Sequence, residues 1–164
     1  MNAYEKIVES LPSEVSLGYE TIRIYQGSDR ESSQVGYSVM SSGESLTGDG
    51  DGDGDGDWHP HWIVIGYEEL CGDPIFIDAA CDGFPVYTAP HGEGRWDAEP
   101  IAVSLESFGK SLSVMAHVAK GRQFPTALEK NPITAPEKEA TIAAIKRENP
   151  GLELRFWETL LNQT

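Results

Sequence analysis

The chain has 164 residues, of which 39% are hydrophobic, and its 27 acidic and 12 basic side chains give a formal net charge of -15. A chain of this length buries about two-thirds of the surface that it exposes when unfolded, so we expect a single domain over residues 1–164. The large negative charge repels phosphate backbones and anionic lipids, which disfavours binding to nucleic acid or to a membrane. The sequence has no apolar run long enough to cross a membrane and no signal-peptide pattern at its start, so we expect a cytoplasmic protein.

The negative charge is concentrated in the middle of the chain. Residues 41–109 contain fifteen acidic side chains and one basic side chain, whereas residues 110–164 contain six and eight. An acidic field of this kind attracts a basic protein or a cation. We therefore expect the middle segment to face a partner.

The spacing of apolar side chains predicts the first elements. Four apolar residues between Tyr4 and Leu11 fall on one face of a helix, and Pro12 cannot extend that helix. Residues 21–25 and 35–39 alternate apolar and polar side chains, which predicts two strands with turn residues between them. We expect these strands to form a hairpin with one solvent-exposed face.

The next segment contains the one internal repeat, because residues 48–57 read Gly-Asp five times. Alternating glycine and aspartate bury no apolar surface and repel each other, so we expect residues 41–57 to be a flexible insertion without regular secondary structure. From Asp49 onward the tract matches the first ligand positions of an EF-hand loop, but Pro60 stands where the bidentate glutamate belongs. A calcium-responsive regulatory module is the alternative that depends on this tract alone.

An antiparallel meander is predicted after the repeat. Residues 62–65 are apolar on both faces, which indicates a central strand. Further short apolar runs at 74–78, 85–89 and 101–103 predict the strands that follow it. Because the strands are grouped in sequence, the predicted fold class is α+β, with an antiparallel sheet flanked by an N-terminal helix and C-terminal helices.

The clearest helix follows the last predicted strand. The hydroxyl of Ser104 can cap a helix N-terminus, and Gly121 stands where a helix ends. The apolar stripe of this helix comprises Leu105, Phe108, Leu112 and Met115. We expect it to pack on the sheet face that carries Ile63, Ile65, Ile75, Ile77 and Val86. Two more helices are predicted, one between Thr134 and Pro150 and one over residues 154–161.

Several side chains could carry chemistry. His59, His61 and His91, with Cys71 and Cys81, offer zinc ligands, but no spacing typical of a zinc site occurs, and we expect both cysteines to be free thiols. The sequence also contains no nucleophile elbow, phosphate loop or dinucleotide fingerprint. We therefore expect no metal, no cofactor and no enzymatic activity. The alternative is a hydrolase that uses His91 with nearby carboxylates.

Four short motifs lie between residues 62 and 108. They are Ile65-Gly66, Gly72-Asp73-Pro74, Val86-Tyr87 followed by His91, and Ala102-Val103-Ser104 ahead of Phe108. This series resembles the SUKH superfamily, bacterial proteins related to the yeast Smi/Knr regulators of cell-wall synthesis. The long Gly-Asp insertion departs from the family pattern.

The resemblance implies a SUKH-like core over residues 8–119 and a helical extension, residues 120–164, packed on it. It also implies a non-enzymatic role, because many bacterial relatives are immunity proteins that neutralise a cognate toxin, often a nuclease. Most motif residues are expected to be structural, with Gly66 and Gly72 permitting turns and Asp73 anchoring its own turn. The motif residues are Gly66, Gly72, Asp73, Pro74, Phe76, Val86, Tyr87, Ala102 and Phe108.

The residues expected to bind a partner lie on a glycine-punctuated loop between two predicted strands. They are His91, Glu93, Trp96 and Asp97. The expected partner is a cognate protein toxin or another basic protein. The acidic face would occupy the basic site that a nuclease toxin uses for nucleic acid.

Overall fold

Six strands form one antiparallel sheet in which neighbours in sequence are neighbours in space. The computed structural model describes residues 1–48, 58–91 and 94–163. The strands are β1 (Glu14–Leu17), β2 (Glu20–Ile24), β3 (Trp62–Glu68), β4 (Pro74–Asp78), β5 (Val86–Thr88) and β6 (Glu99–Ala102). The helices are α1 (Ala3–Ser10), α2 (Asp29–Ser32), α3 (Leu105–Ala119), α4 (Pro125–Lys130), α5 (Ala135–Glu148) and α6 (Arg155–Leu161). The fold class is α+β, which confirms the sequence prediction.

Local sequence accounts for where the longer helices begin. The side chain of Asn2 accepts a hydrogen bond from the N–H of Glu5, and the Glu5 carboxylate accepts one from the N–H of Asn2. Thr134 and Glu137 form the same reciprocal box at the start of α5, and the Ser104 hydroxyl caps α3 as predicted. These bonds satisfy N–H groups that have no partner inside the helix. None of the described helices is long and apolar enough to cross a membrane.

Helices cover one face of the sheet and form the main core with it. Phe108 and Leu112 of α3 are fully buried in this core. The sheet contributes Ile65, Ile75, Ile77 and Val86, and Ile63 is partly buried at the margin. The predicted packing of the α3 stripe on the sheet is therefore confirmed. Ile145 of α5 and Trp157 of α6 are fully buried in the same core.

The C-terminal helices also close one edge of the sheet. The indole Nε1 of Trp157 donates to the carbonyl of Ile101 in β6 at 2.8 Å. The N–H of Val103, just after β6, donates to Oδ1 of the buried Asn149 at 3.0 Å. Pro100 has no N–H to offer. Trp157 and Asn149 of the helical extension thus bond to backbone groups at this edge.

A buried arginine holds the connection from α3 to α5. Arg122 is 7% exposed, and its guanidinium donates to the carbonyls of Val118 at 2.9 Å and Asn131 at 2.7 Å. It also donates to the Glu137 carboxylate at 3.0 Å. Charge-assisted bonds of this kind are stronger than neutral ones. The sequence analysis missed α4, which lies inside this connection, because six residues are too few to show a helical period.

The segment between β2 and β3 covers the other face of the sheet, and the strand predicted at residues 35–39 is wrong. This segment forms α2 and a series of turns. The side-chain amide of Gln34 donates to the carbonyl of Val64 at 2.8 Å and accepts from its N–H at 3.0 Å, where a neighbouring strand would bond to β3. The apolar alternation has another cause, because Tyr37 packs on the sheet while Val35 is 46% exposed.

The hairpin partner of β2 is β1, which the sequence analysis did not predict. Val15 pairs with Ile22 and Leu17 pairs with Glu20. Gly18 adopts a φ of +58° in the two-residue turn between the strands, a conformation that favours glycine. A strand of four residues has too few side chains for its alternation to stand out in the sequence.

The ends of the Gly-Asp tract lie side by side. Thr47 forms an isolated bridge with Trp58, and the N–H of Gly48 donates to the carbonyl of Trp58 at 3.3 Å. Residues 41–48 contain no helix or strand, which confirms that part of the prediction. The flexibility and the calcium site were predicted for residues 49–57, which lie outside the described residues.

Candidate functional site

The predicted partner-binding residues belong to the loop between β5 and β6. His91 and Asp97 are exposed, and Trp96 is half-buried. The rings of His91 and Trp96 meet edge to face, with their centroids 5.9 Å apart. Asp97 accepts a hydrogen bond from the guanidinium of Arg95 at 2.9 Å. Glu93 lies outside the described residues.

Trp96 packs on an aromatic cluster that covers the second face of the sheet. The buried members of this cluster are Trp58, Val64, Phe76 and Ala89, and the partly buried members are Tyr25, Tyr37, Trp62, Tyr87, Trp96 and Ala98. The Trp96 ring stands perpendicular to that of Trp58 at a centroid distance of 5.2 Å and lies 5.4 Å from that of Tyr37. Contacts of this geometry add to the energy of apolar burial. Trp96 therefore has a structural role as well as a surface that a partner could contact.

Asp73 attaches this loop to the sheet. Its Oδ1 accepts a hydrogen bond from the N–H of His91 at 2.8 Å. The sequence analysis expected Asp73 to anchor its own turn, whereas the side chain anchors a loop eighteen residues further along the chain. Burial, and then the charge of Asp73, raise the pKa of Tyr37. Asp73 thus joins the β3–β4 turn, the β5–β6 loop and the aromatic cluster.

An acidic pocket of about 220 Å³ adjoins Asp73. Its lining includes the carboxylates of Glu20, Glu68, Asp73 and Glu99 and the apolar side chains of Phe156 and Leu160. Glu68 is 8% exposed, and its carboxylate accepts hydrogen bonds from the N–H groups of Leu70 and Cys71. Glu99 forms an ion pair with Arg155 at 3.0 Å. Glu68 and Glu99 are therefore engaged in contacts within the protein, as is Asp73 through its bond to His91.

Glu20 is the carboxyl group in this pocket whose ionisation is most perturbed. Burial, reinforced by Glu68, raises the pKa of Glu20 from 4.5 to about 8. Oε2 of Glu20 is buried, and no described group donates a hydrogen bond to it. Burial and the lack of a donor among the described residues both disfavour the charged form of this carboxyl group.

The histidines and cysteines do not converge on one site among the described residues. His59 and His61 lie beside each other just before β3, with ring centroids 5.5 Å apart, whereas Cys71 follows the other end of that strand. Both cysteines are free, as predicted, and both are exposed. Within the described ranges, Glu68, Cys71 and Asp73 form one group whose possible ligand atoms lie within 4.8 Å of one another. Both carboxylates of that group already accept backbone hydrogen bonds.

The arrangement separates His91 from the carboxyl pair that could support acid/base chemistry. His91 packs on Trp96 and contacts Asp73 through its backbone, and it does not belong to the lining of the described acidic pocket. A hydrolase built on His91 with nearby carboxylates would need these groups around one cavity.

The structure changes the role of one motif glycine and supports the role of another. Gly66 lies inside β3 and does not form a turn, so that prediction is wrong. A Cβ atom at Gly66 would collide with the carbonyl oxygen of Arg23 on β2, so glycine permits the close approach of these two strands. Gly72 has a φ of +78° in the turn between β3 and β4, which is the conformation that its predicted role requires.

The remaining motif residues are mostly buried. Pro74, Phe76, Val86, Ala102 and Phe108 are buried, and Tyr87 is partly buried. Phe76 belongs to the aromatic cluster, because alternate residues of β4 point to opposite faces of the sheet. Tyr87 belongs to the same aromatic cluster as Phe76 and Trp96, whereas Val86, Ala102 and Phe108 belong to the main core.

Sequence analysis missed Trp58, Gln34 and Glu20. Trp58 is fully buried, and its indole donates to the carbonyl of Trp62 at 2.9 Å. An aromatic residue directly after the Gly-Asp tract was a signal that the chain returns to the protein at this point. The contacts of Gln34 and Glu20 carry no local signal, because each side chain meets a strand that is distant in sequence.

Comparison with known proteins found no match to this chain among protein-family models, curated proteins or solved structures. Its function has to be inferred from the residues and their arrangement.

Proposed function

We propose that this chain is a non-enzymatic protein-binding module of the SUKH type, an immunity protein that neutralises a basic toxin such as a nuclease. The observation that carries the proposal is the ion pair between Arg95 and Asp97. Arg95 is the one basic residue between positions 41 and 109, and its guanidinium is bonded to Asp97 at 2.9 Å. The acidic middle segment therefore supplies no free cation of its own to neutralise its remaining carboxylates.

Several carboxylates of this segment are without a cationic neighbour. Among the described residues, no lysine or arginine lies within ion-pair distance of Asp73, Asp78 or Asp82. Asp73 and Asp97 flank the loop that carries the half-buried Trp96. An aromatic side chain on an acidic loop is the composition expected of a binding surface for a basic protein.

The contacts of His91 and Trp96 with the sheet support the same proposal. The bond from the N–H of His91 to Asp73 and the packing of Trp96 on Trp58 hold the loop on the sheet. A surface that is ordered before binding loses less conformational entropy when the partner arrives. The relationship to the SUKH superfamily and the nature of the toxin are parts of this proposal.

The test measures binding of the purified toxin encoded in the neighbouring reading frame. The association rate should fall steeply as salt is added, because exposed charges steer an encounter only within a Debye length of roughly 10 Å at about 0.1 M ionic strength. Replacing Glu93 and Asp97 with their amides should slow association. The double variant Glu139→Gln with Glu158→Gln, which changes the charge equally on α5 and α6, should leave the rate nearly unchanged.

A second variant separates anchoring from steering. Trp96→Ala should accelerate dissociation by about tenfold or more, the range of an interface hot spot. Its thermal unfolding must be measured as well, because Trp96 also packs on Trp58 and Tyr37. Salt-insensitive association, equal effects of the two double variants, or the lack of a toxin in the neighbouring reading frame would count against the proposal.

A further inference from the structure

The free edge of β1 presents polar backbone groups to solvent. The carbonyl of Ser13 accepts from the N–H of Ile24 at 2.9 Å, and Leu17 lies opposite Glu20. Hydrogen-bonded pairs alternate along an antiparallel ladder, so the N–H and C=O groups of Glu14 and Ser16 point away from β2. None of the described residues bonds to these four groups.

A groove runs beside this edge. It has a volume of about 320 Å³ and lies between β1 and the C-terminal half of α3. Its lining includes Val15 of β1, the small residues Ala116 and Ala119 of α3, and Phe124 at the start of α4. Phe124 is 61% exposed. Glu14, Ser16 and Gln123 complete the lining. A groove between an edge strand and a helix has the shape that accepts an extended peptide as an additional strand.

The two edges of the sheet differ in this respect. Trp157 and Asn149 bond to the chain at β6, and Pro100 removes an N–H from that edge. At β1, the connection between α3 and α4 bonds to one outward-pointing group. The N–H of Gly18, directly after β1, donates to the carbonyl of Arg122 at 2.8 Å. The outward-pointing N–H and C=O groups of Glu14 and Ser16 have no hydrogen-bond partner among the described residues.

The charges around β1 indicate which side chains an added strand would carry. The side chain of Glu14 lies on the opposite side of the strand from the buried Val15. Glu14 and Glu69 share the single guanidinium of Arg23, at 2.8 and 3.3 Å, which leaves one negative charge unbalanced. Basic side chains on that side of an added strand would be attracted, and apolar side chains on the other side would enter the groove.

We propose that β1 binds an extended segment of a partner protein whose residues alternate between basic and apolar. The segment pairs with the outward N–H and C=O groups of Glu14 and Ser16 and places its apolar side chains over Ala116 and Ala119. The proposal does not depend on the toxin-neutralising function, because β1 and the β5–β6 loop belong to different edges of the sheet.

The test uses the blocked peptide Lys-Val-Lys-Val-Lys-Val and the full-length, ¹⁵N-labelled chain. Binding should slow hydrogen exchange at the amides of Glu14 and Ser16, because these N–H groups become hydrogen-bonded. Two further peptides carry N-methyl groups on alternate residues, one on the lysines and one on the valines. One of them should lose about tenfold or more in affinity and the other should bind normally, since a strand bonds to its neighbour through alternate residues.

Matched variants locate the binding groove. Ala116→Trp should fill it and weaken peptide binding about tenfold, whereas Ser113→Trp, an exposed position on the same helix outside the groove, should leave affinity within about twofold. Both variants must retain the amide spectrum of the native fold. Unchanged exchange at Glu14 and Ser16, equal effects of the two N-methylated peptides, equal effects of the two tryptophans, or equal binding of Glu-Val-Glu-Val-Glu-Val would overturn the proposal.

Discussion

Glu20 and Glu68 show how two like side chains acquire different properties from their surroundings. Glu68 is tied to the β3–β4 turn by the N–H groups of Leu70 and Cys71, and these bonds suit a carboxylate that accepts hydrogen bonds. Glu20 receives no such donor, and burial raises its pKa to about 8. Both side chains lie in a pocket that also contains Asp73, Glu99 and Arg155.

Stability should depend on pH through Glu20. Between about pH 4.5 and about pH 8 the folded chain holds a proton on Glu20 that the unfolded chain has released, so stability falls as pH rises through this window. Glu20→Gln keeps a neutral donor next to Glu68, and it should flatten this part of the stability curve. Urea unfolding at a series of pH values measures the difference between the two proteins.

The variant should match the native protein near pH 4.5 and exceed it in stability above about pH 8. Glu139→Gln, on the exposed side of α5, is the matched control and should leave the pH dependence as it is. A constant difference between Glu20→Gln and the native protein across the whole range would show that Glu20 carries no shifted proton equilibrium.

At the scale of elements, the described residues between β2 and β3 form a layer whose one regular element is the short helix α2. It is held by side chains: Gln34 bonds to both backbone groups of Val64, and Trp58 fills the space over Phe76 at a centroid distance of 4.8 Å. The bridge between Thr47 and Trp58 brings the ends of the Gly-Asp tract together.

Deletion of the five Gly-Asp units should leave stability within about 1 kcal/mol of the native value. The ends of the tract are already adjacent, and loop length enters the closure entropy only logarithmically. Trp58→Ala, at the boundary of the same tract, should cost roughly 3 to 5 kcal/mol because it empties a buried aromatic site. Chemical denaturation of both variants provides the comparison, and a loss of several kcal/mol on deletion would mean that the tract is structural.

At the scale of the whole molecule, one core connects the beginning and the end of the chain. Val8 of α1, Phe108 of α3 and Trp157 of α6 are all fully buried in it, and the rings of Phe108 and Trp157 lie 6.0 Å apart. The helical extension also bonds to β6 through Trp157. The core and the extension are therefore expected to unfold together.

The full chain should show one cooperative unfolding transition. Phe108→Ala should cost roughly 3 to 5 kcal/mol, and Trp157→Ala should shift the same transition to a comparable extent, because both residues support one core. Far-ultraviolet circular dichroism and tryptophan fluorescence should give coincident curves. Two separate transitions, or a cost well below about 1 kcal/mol for Phe108→Ala, would contradict a single domain packed in this way.

The sequence by itself determined the elements whose side chains follow a period over enough residues. The stripe of α3, the cap at Ser104 and the apolar runs of β3 and β4 predicted both the elements and the face that they bury, because periodicity and capping are local properties. The α+β class followed from the order of these elements. The motif residues also led to the loop that carries His91 and Trp96.

Tertiary structure alone decided what depends on contacts between distant segments. The strand at residues 35–39 was mispredicted because its alternation reflects packing of Tyr37 on the sheet and the bonds of Gln34 to Val64. Whether Gly66 formed a turn or a close contact depended on the position of β2. The raised pKa of Glu20 and the free edge of β1 exist only once the strands are paired, because burial and hydrogen-bond direction are properties of the assembled sheet.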